Sequence, residues 1–494
     1  MIIPPLTIRL DGARLDARVL ALRVAGQLSQ PAQAEVTLDA DASWAFGARL
    51  QIEVGDDELF DGEVTAVELV RGPGSERALL LRGYDKLHQL RKRQLPRVFT
   101  HVTIADLARE LTADLGITVQ CPDPGSSIER LVQHRQSDWE LLSQTAARCG
   151  RYLVLDGDTL VIDGLRPRGA AVELKVGDSL WQCRVEANVD RAVREVSSIG
   201  WHPRLGEVTT GRAADRGFKP GGKLDPGAGG TRTLLDQSVD LQTEAAQAAL
   251  DRSAARVVCL SGTARGDVAL RPGRTVAVTG LDDAIDGAYP ICSAVHTVTA
   301  EGYRTVFGTE PPAPAALPTG ASVTLGKVTS VNDPDAKGRV QVSLLAYGDL
   351  DIGWLGVLCP GAGPGKGIVA LPDPGDLVVI ALPHENPAEG IVLGAIYGPE
   401  TPKDTGVSGG SVQRWTLHSG GGQSIVIDDS EKSIKMANAD GSSLELAPGT
   451  VRLLAHTDLV IEAPGHSMTI RAASVDFERA LLPVPSLDVS AVLP

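Results

Sequence analysis

The chain has 494 residues, a length that predicts several domains. Its 54 glycines and 31 prolines together outnumber either class of charged residue, which favours strands and turns over helical bundles. The net charge of −15 argues against nucleic acid or an anionic membrane as the main partner.

The six cysteines are scattered and form no Cys-x-x-Cys motif or pairing with histidine. We therefore expect reduced thiols and no disulfide framework. The first residues lack a basic segment followed by a long apolar run, and no apolar run approaches about 20 residues. The chain is thus expected to be made in the cytoplasm without a signal peptide or a transmembrane helix.

The first 100 residues have the pattern of strands. Apolar residues alternate with polar ones at Leu50, Ile52 and Val54, and Gly and Asp turns separate such runs. This pattern predicts a β-barrel over residues 1–165, interrupted by a helical insert at about 100–150.

Two helices are expected inside the insert. Thr103 is placed to cap the first helix, and Gly116 to end it. The second begins at a capping box, in which Ser137 and Glu140 each satisfy a backbone donor, and it ends at Gly150.

Residues 166–310 return to strands, with one further helix expected at 243–258. The Pro-rich run at 311–318 is typical of a stiff linker and places a domain boundary at 311–322. Beyond it, residues 323–400 carry period-two alternation at Val340, Val342 and Leu344. Four or five short strands in this range fit a small closed barrel of the OB type.

A Gly-rich linker at 401–411 separates the OB barrel from residues 412–480, where pairs of apolar residues flank a single residue at regular intervals. This regular spacing is typical of a β-solenoid. One chain would form only about three coils, which is the minimum number for a stable solenoid. Three chains wound around one axis would bury every apolar pair, so a homotrimeric β-helix needle is predicted. The candidates for its core are Ile425, Ile427, Ile434, Met436, Leu444, Leu446, Leu459, Ile461, Met468, Ile470, Val475 and Phe477. Residues 481–494 form an unpatterned tail.

The motifs that resemble chemical sites do not meet the requirements of those sites. The run from Gly361 to Gly367 resembles a phosphate loop, but Pro360 and Gly367 stand where Gly and Ser or Thr are needed. His466 has no second histidine nearby to complete a metal site. We expect no catalytic residue, no cofactor and no metal. Residues 326–398 hold four basic against eight acidic side chains, so nucleic-acid binding by the OB barrel is not expected.

Several separated motifs resemble the OB domain of VgrG and phage baseplate assembly protein V, the spike proteins of contractile injection systems. These motifs are Asn332-Asp333-Pro334, Gly338-Arg339-Val340, Trp354, Leu371-Pro372, Gly375-Asp376, Ile391 to Gly394, and Tyr397. Residues 137–155 also resemble the helical insert of that family's hub.

The resemblance implies a mainly β fold with a small helical insert, comprising two hub β-barrels, an OB-fold barrel and a C-terminal intertwined trimeric β-helix. The second hub barrel, at 166–310, is expected on this basis. The implied function is that of a non-enzymatic central spike, which links a hexameric inner tube to the membrane-piercing tip. The implied partners are two further copies of the chain, the tube protein, baseplate proteins and a PAAR-type tip protein. The membrane is met only by mechanical puncture.

Two alternatives remain open. The first is a tailed-phage baseplate spike; the second, from a different class, is a trimeric β-solenoid tailspike that depolymerises polysaccharide. The second would need paired carboxylates about 5–10 Å apart on a long solenoid face. In either injection-system case the chain is expected to be assembled into a phage tail-like particle, which is released from the cell in some systems.

Overall fold

The computed structural model describes residues 4–41, 44–72, 77–165, 169–202, 207–213, 224, 229–235, 239–314 and 320–476. The chain divides into two compact units, Met1–Ile396 and Tyr397–Pro494. The three α-helices described are short, and no helix among these residues is long and apolar enough to span a membrane.

The first segment of unit one is built from long antiparallel strands. Its alternation holds in the structure, because Leu50, Ile52 and Val54 are buried while their neighbours are half-buried or exposed. The strands are β1 Leu6–Leu10, β2 Ala13–Arg14, β3 Arg18–Gln27, β4 Gln30–Asp39, β5 Arg49–Val54, β6 Asp57–Arg71 and β7 Arg77–Tyr84.

The expected helical insert follows. Both capping boxes are formed: the Thr103 and Ser137 hydroxyls accept from the backbone N–H groups of Asp106 and Glu140, whose carboxylates accept from the cap residues' own N–H groups. The elements are β8 Arg97–Val102, α1 Ile104–Thr112, β9 Thr118–Gln120, β10 Ile128–Gln133, α2 Asp138–Arg148, β11 Tyr152–Asp156 and β12 Thr159–Asp163.

The second segment returns to strands around one helix, as the sequence predicts. Its elements are β13 Val172–Lys175, β14 Leu180–Ala187, β15 Val193–His202, β16 Glu207–Arg212, β17 Gly230–Leu234, α3 Gln242–Ala255, β18 Val258–Arg265, β19 Thr275–Thr279, β20 Gly287–Pro290, β21 Ser293–Thr299 and β22 Gly302–Gly308.

The two predicted hub barrels stay a prediction in their details. Strands of both segments form one eleven-stranded sheet in the order β14-β18-β22-β21-β3-β4-β7-β6-β5-β1-β2. The join is the antiparallel pair β21–β3, in which Val298 opposes Leu22. Alternation determines which face of a strand is buried but does not select its partner, so this long-range pairing could not be predicted from the pattern.

The predicted OB barrel is present and closed. Its strands are β23 Ala321–Ser330, β24 Val340–Leu344, β25 Leu350–Val357, β26 Leu377–Pro383 and β27 Ile391–Ile396. They close in the order β23-β24-β25-β27-β26, and no other sheet of the described residues closes. The alternating residues Val340, Val342 and Leu344 fill the interior.

Unit two begins with the short hairpin β28 Val407–Ser408 and β29 Ser411–Val412. A five-stranded antiparallel sheet follows, in which each strand pairs with the next along the chain. Its strands are β30 Arg414–His418, β31 Ser424–Asp428, β32 Ser433–Ala437, β33 Ser443–Ala447 and β34 Thr450–Leu454. From residue 455 to 476 the chain has no strand.

Closure of the OB barrel requires a glycine on β23. A Cβ on Gly326 would lie 2.6 Å from both Ile380 Cδ1 and Val342 Cγ1, closer than side-chain atoms pack. We expect Gly326→Ala to lower the free energy of unfolding of the barrel by about 1–3 kcal/mol, because the extra methyl group overpacks the core. Scanning calorimetry of the whole chain would record this as a lower midpoint for one transition.

Gly356→Ala is the matched control, because a Cβ on this β25 glycine meets no atom within 4 Å. Its midpoint should equal or slightly exceed that of the parent chain, since alanine restricts the unfolded state. Equal midpoints for the two variants would show that the barrel does not close tightly at Gly326.

Candidate oligomerisation surface

One face of the sheet β30–β34 is entirely apolar. The cross-strand register aligns its side chains in two columns that run across all five strands. The first column is Leu417, Ile425, Met436, Leu444 and Leu453; the second is Trp415, Ile427, Ile434, Leu446 and Val451. We call these ten residues the apolar face.

The opposite face of the same sheet is mostly polar. Its central column consists of Thr416, Val426, Lys435, Glu445 and Arg452. Lys435 stands directly opposite Glu445, which in turn stands opposite Arg452, so unlike charges alternate across three strands. The sheet is therefore amphipathic, with one side suited to water and the other not.

The apolar face is largely exposed among the residues that the structure describes. Nine of its ten side chains are between 39% and 71% exposed, and Ile425 is half-buried. An antiparallel sheet normally packs one apolar face on a core, and a contiguous uncovered patch is typical of an interaction surface. This face is therefore a candidate contact surface.

Six of the predicted core residues lie on this face, namely Ile425, Ile427, Ile434, Met436, Leu444 and Leu446. Five others, Leu459, Ile461, Met468, Ile470 and Val475, are exposed in the segment without strands, and Phe477 lies outside the described residues. None of this shows whether they meet in a trimer, so the trimer core stays a prediction.

Four members of the apolar face were missing from the predicted set: Trp415, Leu417, Val451 and Leu453. The signal was present, since Trp-Thr-Leu and Val-Arg-Leu have the same spacing as the other pairs. The first strand of the sheet thus begins the apolar columns about ten residues earlier than predicted.

The start of this sheet is fixed by an ion pair within unit two. Arg414 donates from Nε and Nη2 to the two oxygens of Asp404, at 2.7 and 2.9 Å, and the Gly406 N–H donates to the same carboxylate at 2.8 Å. The guanidinium is the main cause of the lowered pKa of Asp404. This bidentate contact sets where β30 begins.

The OB barrel carries a second, smaller apolar surface on its outside. Val323 on β23 and Ile391 on β27 flank Ala381 of β26 in one cross-strand row, and both are exposed. Leu325 and Leu393 extend the patch and are also exposed. The barrel interior is already full, so these residues belong to an outer contact surface rather than to the core.

The loop Asn332–Gly338, whose motif carries the resemblance, is held by a single buried carboxylate. Asp333 accepts from the backbone N–H groups of Asp335, Lys337 and Arg339, at 3.1, 2.8 and 3.2 Å. The Arg339 guanidinium also donates to it, with Nη2 at 2.6 Å, and these hydrogen bonds lower the pKa of Asp333. Asp333 therefore has a structural role, since it fixes the β23–β24 connection.

The helical insert contacts the OB barrel directly. Arg135, which follows β10, donates to Glu385 at 3.2 Å and to the Tyr347 hydroxyl at 3.4 Å. His134 packs edge-on against the Tyr347 ring, and burial is the main cause of its lowered pKa. The barrel is thus attached to the insert as well as to the preceding linker.

The structure contains no evident chemical site among the motifs considered. Gly363 and Lys366 exchange backbone hydrogen bonds at 3.1 Å, which confirms that this Gly-rich run is a turn. Within the described ranges no group of three or more His, Cys, Asp or Glu is placed to hold a metal ion. The six cysteines are free thiols.

Two family models match the chain. The OB domain of type VI secretion system and phage-baseplate injectors matches residues 324–397. The Alg8 N-terminal domain matches residues 28–300, more than half of the chain. No curated protein sequence matches it.

Solved structures share the fold. The E. coli c3393 protein, described as a type VI secretion component similar to the T4 tail proteins gp27 and gp5, is 14% identical. The match covers 79% of this chain and 99% of that one, with a TM-score of 0.55. A chain of the half-lidded Francisella PdpA–VgrG complex is 10% identical, with 91% and 87% covered and a TM-score of 0.58. A chain of the lidless complex is also 10% identical, with 91% and 97% covered and a TM-score of 0.55. The predicted resemblance to VgrG-like spikes is confirmed.

Removal of the Asp333 carboxylate charge tests the motif loop. We expect Asp333→Asn to lower the thermal midpoint of the OB barrel by several degrees at pH 7, because the amide satisfies fewer of the donors. An aspartate whose pKa is lowered on folding stabilises the protein above its unfolded pKa of about 3.9. The difference in thermal midpoint between the parent chain and Asp333→Asn should therefore become smaller as the pH falls below about 4.

Asp335→Asn is the matched control in the same loop. Asp335 also contacts Arg339, but its side chain is 49% exposed, whereas that of Asp333 is 3% exposed. Exposed ion pairs contribute little, so this midpoint should change by a degree or less. If both variants behaved alike, the special role assigned to Asp333 would be wrong.

Proposed function

We propose that this chain, which belongs to the family of the Alg8 N-terminal domain, is the structural central spike of a contractile injection system baseplate. An injector-type OB domain and a VgrG-like fold support this proposal. The main observation behind the proposal is the exposed apolar face of unit two, because assembly into a spike would bury that face against other chains.

The partners of the apolar face are two further copies of the chain. Three sheets packed around one axis would turn all ten side chains of each apolar face inward. The polar column that includes Lys435, Glu445 and Arg452 would remain in water. Burial of a large apolar side chain contributes about 1.5–3 kcal/mol, so ten per chain offset the entropy of assembly. We propose that the trimer continues as an intertwined β-helix through Ile461 and Ile470.

The outer patch of the OB barrel fits the same trimer. Val323, Leu325, Ile391 and Leu393 would be covered if three barrels formed a collar around the axis. The collar would then join the hub to the needle, as its place in the chain suggests.

The hub provides the other end of the spike. Each chain contributes two segments, on either side of the helical insert, that share one sheet. Each segment supplies most of one core cluster, and Val268, Val298 and Tyr303 of the second segment pack in the core of the first. Three chains would present six such modules, a number that matches a hexameric inner tube. Further partners proposed are the surrounding baseplate proteins and a PAAR-type tip protein on the needle end.

The proposed action is mechanical. Contraction of a sheath drives the tube and spike through an envelope, and a needle whose strands are held by many ladders of hydrogen bonds resists unwinding. Assembly would take place in the cytoplasm, within a phage tail-like particle. A tailed-phage baseplate spike is the nearest alternative and uses the same geometry.

The polysaccharide depolymerase is less well supported. It requires carboxylates that face a substrate groove. Asp428 instead accepts hydrogen bonds from the Ser430 hydroxyl and the Glu431 N–H, at 2.5 and 2.9 Å, so it stabilises the β31–β32 turn.

The mass of the purified chain tests the trimer. Light scattering should give three times the chain mass of 51.8 kDa. Ile434→Asp should reduce it to that of a monomer, because three carboxylates would be buried near one axis without partners. A stable monomer of the parent chain would refute the spike.

Thr416→Asp is the matched control, since Thr416 lies on the polar face of the same sheet. This variant should remain trimeric. A trimer that survives Ile434→Asp but not Thr416→Asp would show that the other face meets the axis.

An electron micrograph of particles from the producing cell should place the chain on the axis at one end of a sheathed tube.

A further inference from the structure

The hub contains a pocket with a cavity volume of about 680 Å³ that no part of the proposed spike function uses. It is formed where the C-terminal end of α2 meets α3, and the strand β17, residues 190–193 and Pro314 complete its walls. A glycine fixes this meeting: Gly150 has a positive φ of 67°, and a Cβ there would lie 2.9 Å from the Cβ of Ala248. The pocket is thus part of the packed hub and does not depend on a loose loop.

The charge of the pocket is opposite to that of the protein. Its lining includes five guanidinium groups, those of Arg148, Arg191, Arg232, Arg252 and Arg256, but only one carboxylate, that of Asp190. The whole chain carries a net charge of −15. A cluster of arginines in an acidic protein creates a local positive potential that its neighbours do not cancel at short range.

Two of these arginines have carboxylate partners. Arg256 pairs with Glu310 at 2.9 Å, and Arg191 pairs with Glu310 at 3.5 Å and Glu186 at 3.4 Å. Glu186 and Glu310 therefore neutralise these two guanidinium groups in part.

The other three guanidinium groups form no ion pair with a described carboxylate. Arg252 donates to the Ala147 carbonyl at 3.3 Å, while its buried Nε has no hydrogen-bond acceptor. Arg148 and Arg232 form no hydrogen bond or ion pair with any residue in the described part of the chain. Burial is the main cause of the lowered pKa of Arg148, and the carboxylates of Glu389 and Asp240 offset this effect only in part.

The pocket lining between the arginines is largely apolar. It is made largely of alanines on α2 and α3, with Val193, Leu234 and Pro314 at the sides. Among the described lining residues there is no aromatic ring on which a nucleic-acid base would stack. Arginine forms bidentate hydrogen bonds with carboxylates, and an alanine floor accepts aliphatic side chains.

We propose that this pocket binds a short acidic segment of a partner protein, in which carboxylate side chains alternate with aliphatic ones. The carboxylates pair with Arg148, Arg232 and Arg252, and the aliphatic groups cover the alanines. This inference is separate from the proposed trimer, because every residue that it uses belongs to the hub of a single chain.

The test measures binding of two fluorescein-labelled peptides to the full-length protein by fluorescence anisotropy. One peptide repeats the pair Glu-Leu, and the other repeats Gln-Leu. We expect the acidic peptide to bind at least about tenfold more tightly, a difference of about 1.4 kcal/mol. We also expect Arg232→Gln, and more strongly the double variant with Arg148→Gln, to weaken it by about tenfold or more.

Arg232 is exposed, so its substitution leaves the hub core intact even if the Arg148 variant fails to fold. Arg265→Gln is the matched control, since Arg265 is an exposed arginine at the far end of β18. It should leave peptide binding unchanged.

Several results would overturn the proposal. One is equal binding of the two peptides; another is equal weakening by Arg265→Gln, which would indicate non-specific attraction. Tighter binding of a single-stranded oligonucleotide of the same charge would assign the pocket to nucleic acid. A change in the mass by light scattering on Arg232→Gln would make the pocket a contact between copies of this chain.

Discussion

The structure depends on a face that one chain cannot bury. The sheet β30–β34 aligns ten apolar side chains in two columns, and nine of them are exposed in the described part of its unit. Short strands with one uncovered apolar face are marginal in water, because the hydrophobic contribution that normally stabilises a sheet is absent. The polar column on the other side excludes a second covering layer there. Packing of the apolar face against an apolar surface of another chain would satisfy both faces, and the proposed trimer is one such arrangement.

The OB barrel, unlike the sheet β30–β34, buries its apolar residues within one chain. Closure satisfies every strand edge internally, and Gly326 allows β23 to approach Ile380 and Val342 closely enough for this to happen. The barrel therefore needs no partner to be stable, and its exposed row from Val323 to Ile391 is available for contact with other copies. In the proposed trimer, a barrel with closed strand edges would therefore precede, in the chain, a sheet that requires partner chains.

Local features of this chain could be predicted from its sequence, whereas long-range ones could not. The cap at Thr103, the capping box at Ser137, the OB strands and six residues of the apolar face follow from spacing alone, because each depends on neighbours a few residues away. The pair β21–β3 joins residues about 270 positions apart, and alternation carries no information about such partners. The arginine pocket could not be predicted from the sequence for the same reason. Arg148, Arg232 and Arg252 come from α2, β17 and α3, and only the fold brings them together.

The joined sheet has a consequence for a protein that transmits force. Had the two hub segments been separate barrels, load would have passed between them through a linker and side-chain contacts. Instead they share β-ladder hydrogen bonds between β21 and β3, which must be broken together before the segments part. The link from hub to OB barrel is different in kind, because Arg135 reaches Glu385 on the surface, where an ion pair contributes about 1 kcal/mol or less. If the chain transmits force as proposed, the joined hub sheet would therefore resist separation more strongly than this ion pair would.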